Sequence, residues 1–310
     1  MSRSITAFAP ATVANVSCGF DILGFAIDGL GDKVTVSFNE RKKLCVTGIT
    51  GDGGKLPMEV EKNTCSVAIQ ALLDQLMSSQ GIDIYLEKGL ALGSGMGSSA
   101  ASAAAALIAT NILLGEPFTK EELVPFAMEA ERIACGSAHA DNVAPSILGG
   151  FVLIRGYEPL DIVKLPVPKG IYCTLVHPHI ELRTSDSRSV LRKQISLKES
   201  TVQSGNIAGF IAGLYTSDFG LISRSLKDVI AEPSRALLIP GFYELRNAIK
   251  SIGALGSGIS GSGPTIFVLS PNGEIALEAG EKAKEVFHTI GLGADVYVSE
   301  VNNRGAFVLE

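Results

Sequence analysis

The sequence predicts an α+β fold rather than a doubly wound parallel sheet. Three observations carry that expectation. Segments with period-two and with helical hydrophobicity mix without regular strand–helix–strand alternation. Two glycine-dense stretches, Gly89 to Gly97 and Gly256 to Gly263, adjoin strand-like runs. The 310 residues, 46% apolar and 19% charged, supply the core for two lobes at about 100–200 residues per domain. They lack the low hydrophobicity and high charge of a disordered chain.

The elements follow in order. Val34, Val36 and Phe38 alternate with polar residues as a half-buried strand does, and Leu44 and Val46 suit a pairing strand. The stretch 48–57 (GITGDGGKLP) reads as a loop. A helix begins near Asn63 or Thr64, either of which can cap it, and carries Ile69, Leu72, Leu73, Leu76 and Met77 on one face. Ile82, Ile84 and Leu86 return to period two before the first glycine-rich stretch. An alanine-rich helix over 98–114 follows, with Ser98 or Ser99 able to cap it. Thr119 and Glu122 form a capping box for the next helix, with a stripe of Leu123, Phe126, Ala127, Ala130, Ile133 and Ala134. A polar loop over 136–142 leads to a strand over 151–154. The proline-rich 165–170 (LPVPKG) marks the lobe boundary, giving lobes of 1–165 and 166–310. Beyond it come a strand over 172–176, helices over 206–214 and 242–252, the second glycine-rich turn, and a strand over 265–269.

Composition narrows the function. A net charge of −6 argues against nucleic-acid binding, which advertises a basic stripe. The most apolar stretch, 100–114, is mostly alanine and holds Ser102, Thr110 and Asn111. It falls short of the roughly 20 apolar residues of a membrane span. No basic and apolar leader opens the sequence, and the five cysteines (Cys18, Cys45, Cys65, Cys135, Cys173) are odd in number and scattered. They read as reduced thiols in a cytoplasmic protein. The four histidines show no metal-ligand spacing.

The segment Gly93-Ser-Gly-Met-Gly-Ser-Ser99-Ala-Ala101 lies between a strand and a helix. Glycines let backbone amides approach an anion, and a helix N-terminus adds unpaired donors and partial positive charge. A polyphosphate would suit it. No lysine follows the last glycine, so it is no Walker loop, and Ser98 breaks the dinucleotide pattern.

Five ordered blocks resemble the GHMP small-molecule kinases, in particular their homoserine kinase branch. These are Ala9 to Gly24 (APATVANVSCGFDILG), the Gly93 loop, Gly136 to Pro145 (GSAHADNVAP), Ala231 to Arg235 (AEPSR) with Ile239 to Phe242 (IPGF), and Gly256 to Pro264 (GSGISGSGP). The resemblance implies a two-lobed fold, with an N-terminal lobe like ribosomal protein S5 and a ferredoxin-like C-terminal lobe. It implies ATP and Mg²⁺, and transfer of the γ-phosphoryl group to the hydroxyl of L-homoserine, a step of threonine biosynthesis. The alternatives are another kinase of the superfamily or a non-catalytic ligand-binding relative. One departure is Ala91, where the family usually has proline; Met96 replaces a common leucine.

The resemblance also distributes roles. Ala91, Leu92, Gly93, Ser94, Gly95, Met96, Gly97, Ser98, Ser99, Ala100 and Ala101 would wrap the phosphates, with Gly261 also binding the nucleotide and Asn63 near adenine or simply capping its helix. Ser99, with Ser98 as alternate, and Glu131, with Glu129 as rival, would approach Mg²⁺. Asp21 and Asp141 would take the substrate ammonium with help from Asn15. Arg183 and Arg235 would take its carboxylate, since guanidinium pairs with carboxylate bidentately, and His139 would shape the pocket. Asn142 would position the acceptor hydroxyl, with no strong general base, because a loose transition state demands little nucleophile activation. A small-molecule substrate, no nucleic acid, no membrane and a homodimer complete the expectation.

Overall fold

A computed structural model describes residues 3–136 and 138–309. Ser137, within the expected polar loop, lies outside them, as does the side chain of Cys135. In chain order the elements are β1 (Ser4–Ala14), β2 (Leu23–Asn39), β3 (Cys45–Thr50), α1 (Thr64–Gln75), β4 (Gly81–Glu87), α2 (Ser98–Leu113), α3 (Lys120–Cys135), α4 (Val143–Leu148), β5 (Phe151–Tyr157), β6 (Leu160–Leu165), β7 (Tyr172–Pro178), α5 (Thr184–Ser189), α6 (Leu197–Thr216), α7 (Phe219–Ser225), α8 (Glu232–Arg235), α9 (Phe242–Ser251), β8 (Gly256–Ile259), β9 (Ile266–Ser270), α10 (Gly273–Thr289), β10 (Ala294–Glu300) and β11 (Phe307–Val308).

The strands form two sheets. A seven-stranded sheet runs β11-β1-β2-β4-β3, with β5 joined to the first part of β2 and β6 to β5. All its pairings are antiparallel except β3 with β4. A four-stranded antiparallel sheet runs β10-β7-β9-β8. The sheet changes between Leu165 and Tyr172, but Phe307 and Val308 return to pair with Phe8 and Ala7 of β1. The two sheets share one core. Phe25 of β2 meets Phe151 of β5 at 4.8 Å and Phe267 of β9 at 6.0 Å, and Phe151 meets Phe210 of α6 at 5.8 Å between ring centroids. A second cluster lies under α9 and α10, around Phe242, Leu245, Ile249 and Phe287.

Helix α2 is buried nearly all round, from Ala100 through Asn111 apart from the cap-facing end. Its alanines let β1, β2, α1 and α3 approach it closely, and the apolar circumference suits a helix enclosed by neighbours. This central position fixes the N-terminus of α2, and with it the glycine loop, rigidly against the first sheet. The buried thiols of Cys18 and Cys65 are pushed up to about 12 by burial, which keeps them protonated and unreactive.

Several expectations change. Met77 lies beyond α1 and is exposed, and Ile133 and Ala134 emerge from the core at the end of α3. The expected loop over 48–57 begins as strand, because Gly48, Ile49 and Thr50 pair with β4. Half of the second glycine-rich stretch is also strand: Gly256 to Ile259 pair with β9. Glycine serves there because a Cβ at 258 would stand 2.8 Å from the Phe267 ring and 3.1 Å from Ser17. Neither Ser98 nor Ser99 caps α2; Gly97 does, in a left-handed conformation.

Candidate active site

The glycine loop closes over a cavity of about 380 Å³ lined by loops and helix ends from both halves of the sequence. Gly93, Gly95 and Gly97 have φ of +65°, +80° and +65°, a region that L side chains visit at a cost. A Cβ at Gly95 would come within 2.6 Å of Ser260 O, and one at Gly97 within 2.0 Å of Thr12 Oγ1. The loop's carbonyls are turned into the protein. Ser94 O accepts from Thr265 N, Gly95 O from Ser260 Oγ, and Met96 O from Thr12 N. Met96 is buried and pins the loop to the core. The loop ends on the first turn of α2, whose amides lack intrahelical acceptors and carry the positive end of the helix dipole. Gly93, Gly95, Gly97, Ser98 and Ser99 line the cavity, which makes this wall suited to an anion.

The facing wall carries charge of both signs. Asn15, Val16 and Ser17 run consecutively at positive φ, as does Asp21. The Val16 conformation is strained for a β-branched residue, and Gly19 N donating to Asn15 O closes the turn. The turn is tied down by Asn15, whose Oδ1 accepts from Asp21 N at 2.9 Å and whose Nδ2 donates to Gly261 O at 2.7 Å. Asp21 therefore projects into the cavity, where Arg188 Nη2 lies 3.3 Å from its Oδ1. Arg188 Nη2 also donates to His139 Nε2 at 2.9 Å. An arginine can only donate, so His139 Nε2 accepts and its proton sits on Nδ1, 3.8 Å from Asp21 Oδ2. Burial holds His139 below its ordinary pKa, against the pull of Asp21, which agrees with a neutral ring.

Arg235, nearly fully buried, donates from Nε to Ser187 O and from Nη1 to Gly261 O, and its guanidinium lies 5.1 Å from the Phe20 ring centroid. Arg188 Nε is buried and has no hydrogen-bond partner among the described residues. The Asp141 carboxyl is pushed up to about 7 by burial and then by Asp21 and Glu131, with Arg188 opposing. Three carboxylates and two guanidiniums thus converge on one cavity, an arrangement suited to a ligand with both an ammonium and a carboxylate.

Between the two walls, Ser99 Oγ donates to Glu131 Oε1 at 2.5 Å. Asn142 precedes α4, and its Oδ1 accepts from Thr12 Oγ1 at 2.8 Å. That bond presents the Asn142 amide nitrogen as a donor.

Most residues singled out from the sequence line this cavity. Leu92, Gly93, Ser94, Gly95, Gly97, Ser98, Ser99, Gly261, Asn15, Asp21, Glu131, His139, Asp141, Asn142 and Arg235 all do. Met96, Ala100 and Ala101 are buried behind the loop and Ala91 is exposed; all four lie outside the lining. Asn63 is engaged as the cap of α1, accepting from Cys65 N and donating to Pro57 O, and is also outside the lining. Arg183 precedes α5, is exposed and does not line the cavity. Glu129 points to solvent and pairs with Arg132.

Sequence reasoning missed Arg188, Thr184, Ser262 and Lys88, all of which line the cavity. Arg188 lies within α5, five residues beyond Arg183, the extended residue that precedes the helix, and only Arg188 lines the cavity. The basic composition of that stretch was a signal; its helical phase was not.

The chain is similar to known proteins along its length. The model of the GHMP kinases N terminal domain matches residues 63–150, and that of the GHMP kinases C terminal domain matches residues 210–289. A homoserine kinase of Chlorobium phaeobacteroides (strain BS1) is 52% identical, covering 99% of this chain and 100% of the relative. The crystal structure of homoserine kinase from Cytophaga hutchinsonii superposes with a TM-score of 0.97 at 54% identity, over 100% of this chain and 98% of that one. A mevalonate kinase structure shares the fold at a TM-score of 0.71 and 14% identity, over 98% of this chain and 100% of that one. With such likeness along its whole length, the chain belongs to the homoserine kinase family of the GHMP kinases.

Proposed function

We propose that this kinase transfers the γ-phosphoryl group of ATP to the hydroxyl of L-homoserine, giving O-phospho-L-homoserine and ADP for threonine biosynthesis. The observation that carries the reading is the pairing of walls in one cavity. A glycine loop and helix N-terminus suited to a polyphosphate face acids and guanidiniums suited to an amino-acid zwitterion.

Phosphoryl transfer asks the protein mainly to position reactants and stabilise charge. The loop from Gly93 to Ser99 would hold the phosphates through backbone amides. Asp21 and Asp141 would take the ammonium, and Arg188 with Arg235 the carboxylate. His139 and Asn15 hold these groups in place through the contacts described. Asn142, fixed by Thr12, would direct its amide at the acceptor hydroxyl. An amide cannot accept a proton as a base, and an Asp141 paired with the ammonium is engaged, so the hydroxyl proton would pass late to the transferred phosphoryl group.

Ser99 Oγ and the Glu131 carboxylate are hard oxygen donors beside the phosphate loop, a set that suits Mg²⁺ when phosphates and water supply the remaining ligands. Mg²⁺ held there would neutralise charge on the phosphate oxygens. Among the described residues no group of three acidic, histidine or cysteine side chains could hold a metal alone. A cytoplasmic location is part of the same proposal, supported by the free thiols of Cys18, Cys45, Cys65 and Cys173. No helix among the described residues is long and apolar enough to cross a membrane.

The test is ADP release with L-homoserine, L-serine, mevalonate and galactose in parallel. Homoserine should be strongly preferred, and activity should vanish when Mg²⁺ is chelated. Equal turnover of mevalonate or galactose would overturn the substrate assignment.

A further inference from the structure

We infer that the buried Asp32–Lys88 ion pair is a positioning device for phosphoryl transfer, fastening the two ends of the glycine loop to each other so that the first turn of α2 stays aimed into the cavity. The inference rests on the proposed reading of that loop as the nucleotide site.

Asp32, in β2, and Lys88, just past β4, are both enclosed, with side-chain exposures of 0% and 1%. Asp32 Oδ1 accepts from Gly89 N at 3.0 Å and Leu90 N at 3.2 Å, where the loop begins. Asp32 Oδ2 meets Lys88 Nζ and accepts from Ser102 Oγ at 2.7 Å. Lys88 Nζ donates to Ser98 O at 2.9 Å, Ser98 Oγ at 2.8 Å and Ser102 Oγ at 3.0 Å, where the loop ends and α2 starts. One ion pair thus grips the loop's entry through the carboxylate and its exit through the ammonium.

Lysine beside a phosphate loop invites the simpler reading of a direct phosphate ligand. The geometry argues otherwise. An ammonium has three N–H donors, and four protein acceptors surround this one: Asp32 Oδ2, Ser98 O, Ser98 Oγ and Ser102 Oγ. Its donors are committed within the protein, so it acts through Ser98 rather than on the phosphate. Nor is stability a sufficient reason for the pair, because well-packed apolar residues of similar volume serve a core as well as or better than a buried ion pair. What apolar residues could not do is hold Gly89 N, Leu90 N and Ser98 O in one register.

The test compares Lys88→Met, Asp32→Asn, the volume-matched double variant Asp32→Leu/Lys88→Met, and Ser102→Ala. Each is measured for thermal midpoint, ATP affinity by calorimetry, and steady-state constants. Lys88→Met is expected to lower kcat/KM for ATP about a hundredfold, the scale of a small misplacement of reacting groups. Its KM for homoserine should stay within about twofold, since that wall is untouched. The double variant should regain the thermal midpoint but not the ATP affinity. Recovery of both would show a purely structural pair and overturn the inference. Should these three fail to fold, Ser102→Ala keeps the ion pair and loses one shared hydroxyl. It should raise the KM for ATP by about threefold to tenfold with kcat less affected, and an unchanged KM would overturn the inference. Ser99→Ala separates the two readings. If it binds ATP and Mg²⁺ as the wild type does, the nucleotide site itself is misplaced. If it weakens ATP while folded Asp32 and Lys88 variants do not, only the clamp is wrong.

Discussion

Ser99 Oγ donates to Glu131 Oε1 across 2.5 Å, joining the helix that ends the glycine loop to the helix beside it. The two oxygens stand at the seam between the phosphate-suited wall and the acid-lined wall. Glu131→Gln keeps shape and hydrogen bonding but removes the charge. It is expected to lower kcat by about a hundredfold or more, the scale of losing one charge-stabilising group, and to raise the Mg²⁺ concentration needed for half activity. Glu129→Gln, on the solvent side of the same helix, should behave as wild type. A Mg²⁺ titration of both variants checks this.

Arg188 and Arg183 give a second contrast. Arg188→Gln should raise the KM for homoserine about a hundredfold, as truncating one side of a desolvated charge pair does, whereas Arg183→Gln should leave it nearly unchanged. Arg188 holds Asp21 and His139 and has a free Nε donor, while Arg183 is exposed. A larger loss at Arg183 in steady-state assays would return the carboxylate contact to that residue.

Asp141 should impose a pH dependence. Its carboxyl stands at about 7 in the folded protein, raised by burial first and then by Asp21 and Glu131, against an ordinary 3.8. Between those values the folded state holds a proton that the unfolded state has lost. This group's contribution to stability therefore falls as pH rises from about 4 to 7. Asp141→Asn should melt higher than the wild type at pH 8, with the gap closing toward pH 4, by calorimetry. Substrate should reverse the sign: an ammonium favours the carboxylate, so homoserine affinity should weaken as pH drops below 7 in the wild type and less in the variant.

Asn142→Ala removes the amide held by Thr12. Loss of kcat by about tenfold to a hundredfold with little change in the KM for homoserine is the signature of a mispositioned hydroxyl. If kcat instead keeps an acidic limb that disappears in Asp141→Asn at unchanged homoserine affinity, a general base operates after all.

Gly97→Ala tests the cradle. Its Cβ would sit 2.0 Å from Thr12 Oγ1 and 2.9 Å from Asn142 Oδ1, at a φ of +65°. Stability should fall by more than about 2 kcal/mol from strain and displacement together, with activity lost even where the fold survives. Gly53→Ala has comparable φ but meets nothing, so it separates backbone strain from the clash.

Much of this site could be read in the sequence because its anchors are local. The glycines at 93, 95 and 97, the turn from Asn15 to Asp21, and Asp141 with Asn142 are short patterns whose residue types already limit their conformation. What escaped was whatever depends on phase or on distant partners. The phase of α5 decides that Arg188 rather than Arg183 faces inward, and no periodicity is resolved in six residues. Asn63 takes the helix cap, one of the two readings its position allowed. Asp32 and Lys88 lie 56 positions apart, and only the pairing of β2 with β4 brings them together. Gly256 and Gly258 looked like a turn because their reasons, the Leu226 side chain beside the one and the Phe267 ring beside the other, come from elsewhere in the sequence.

The return of β11 to β1 has a consequence for biosynthesis. Leu309 N reaches Thr6 O, Ala306 N reaches Ile147 O, and Asn302 O receives Gly150 N. These residues stitch together segments that lie much earlier in the sequence. A growing polypeptide must release position 309 from the ribosome before that edge can close, so the first sheet is completed only after the strands of the second have been synthesised.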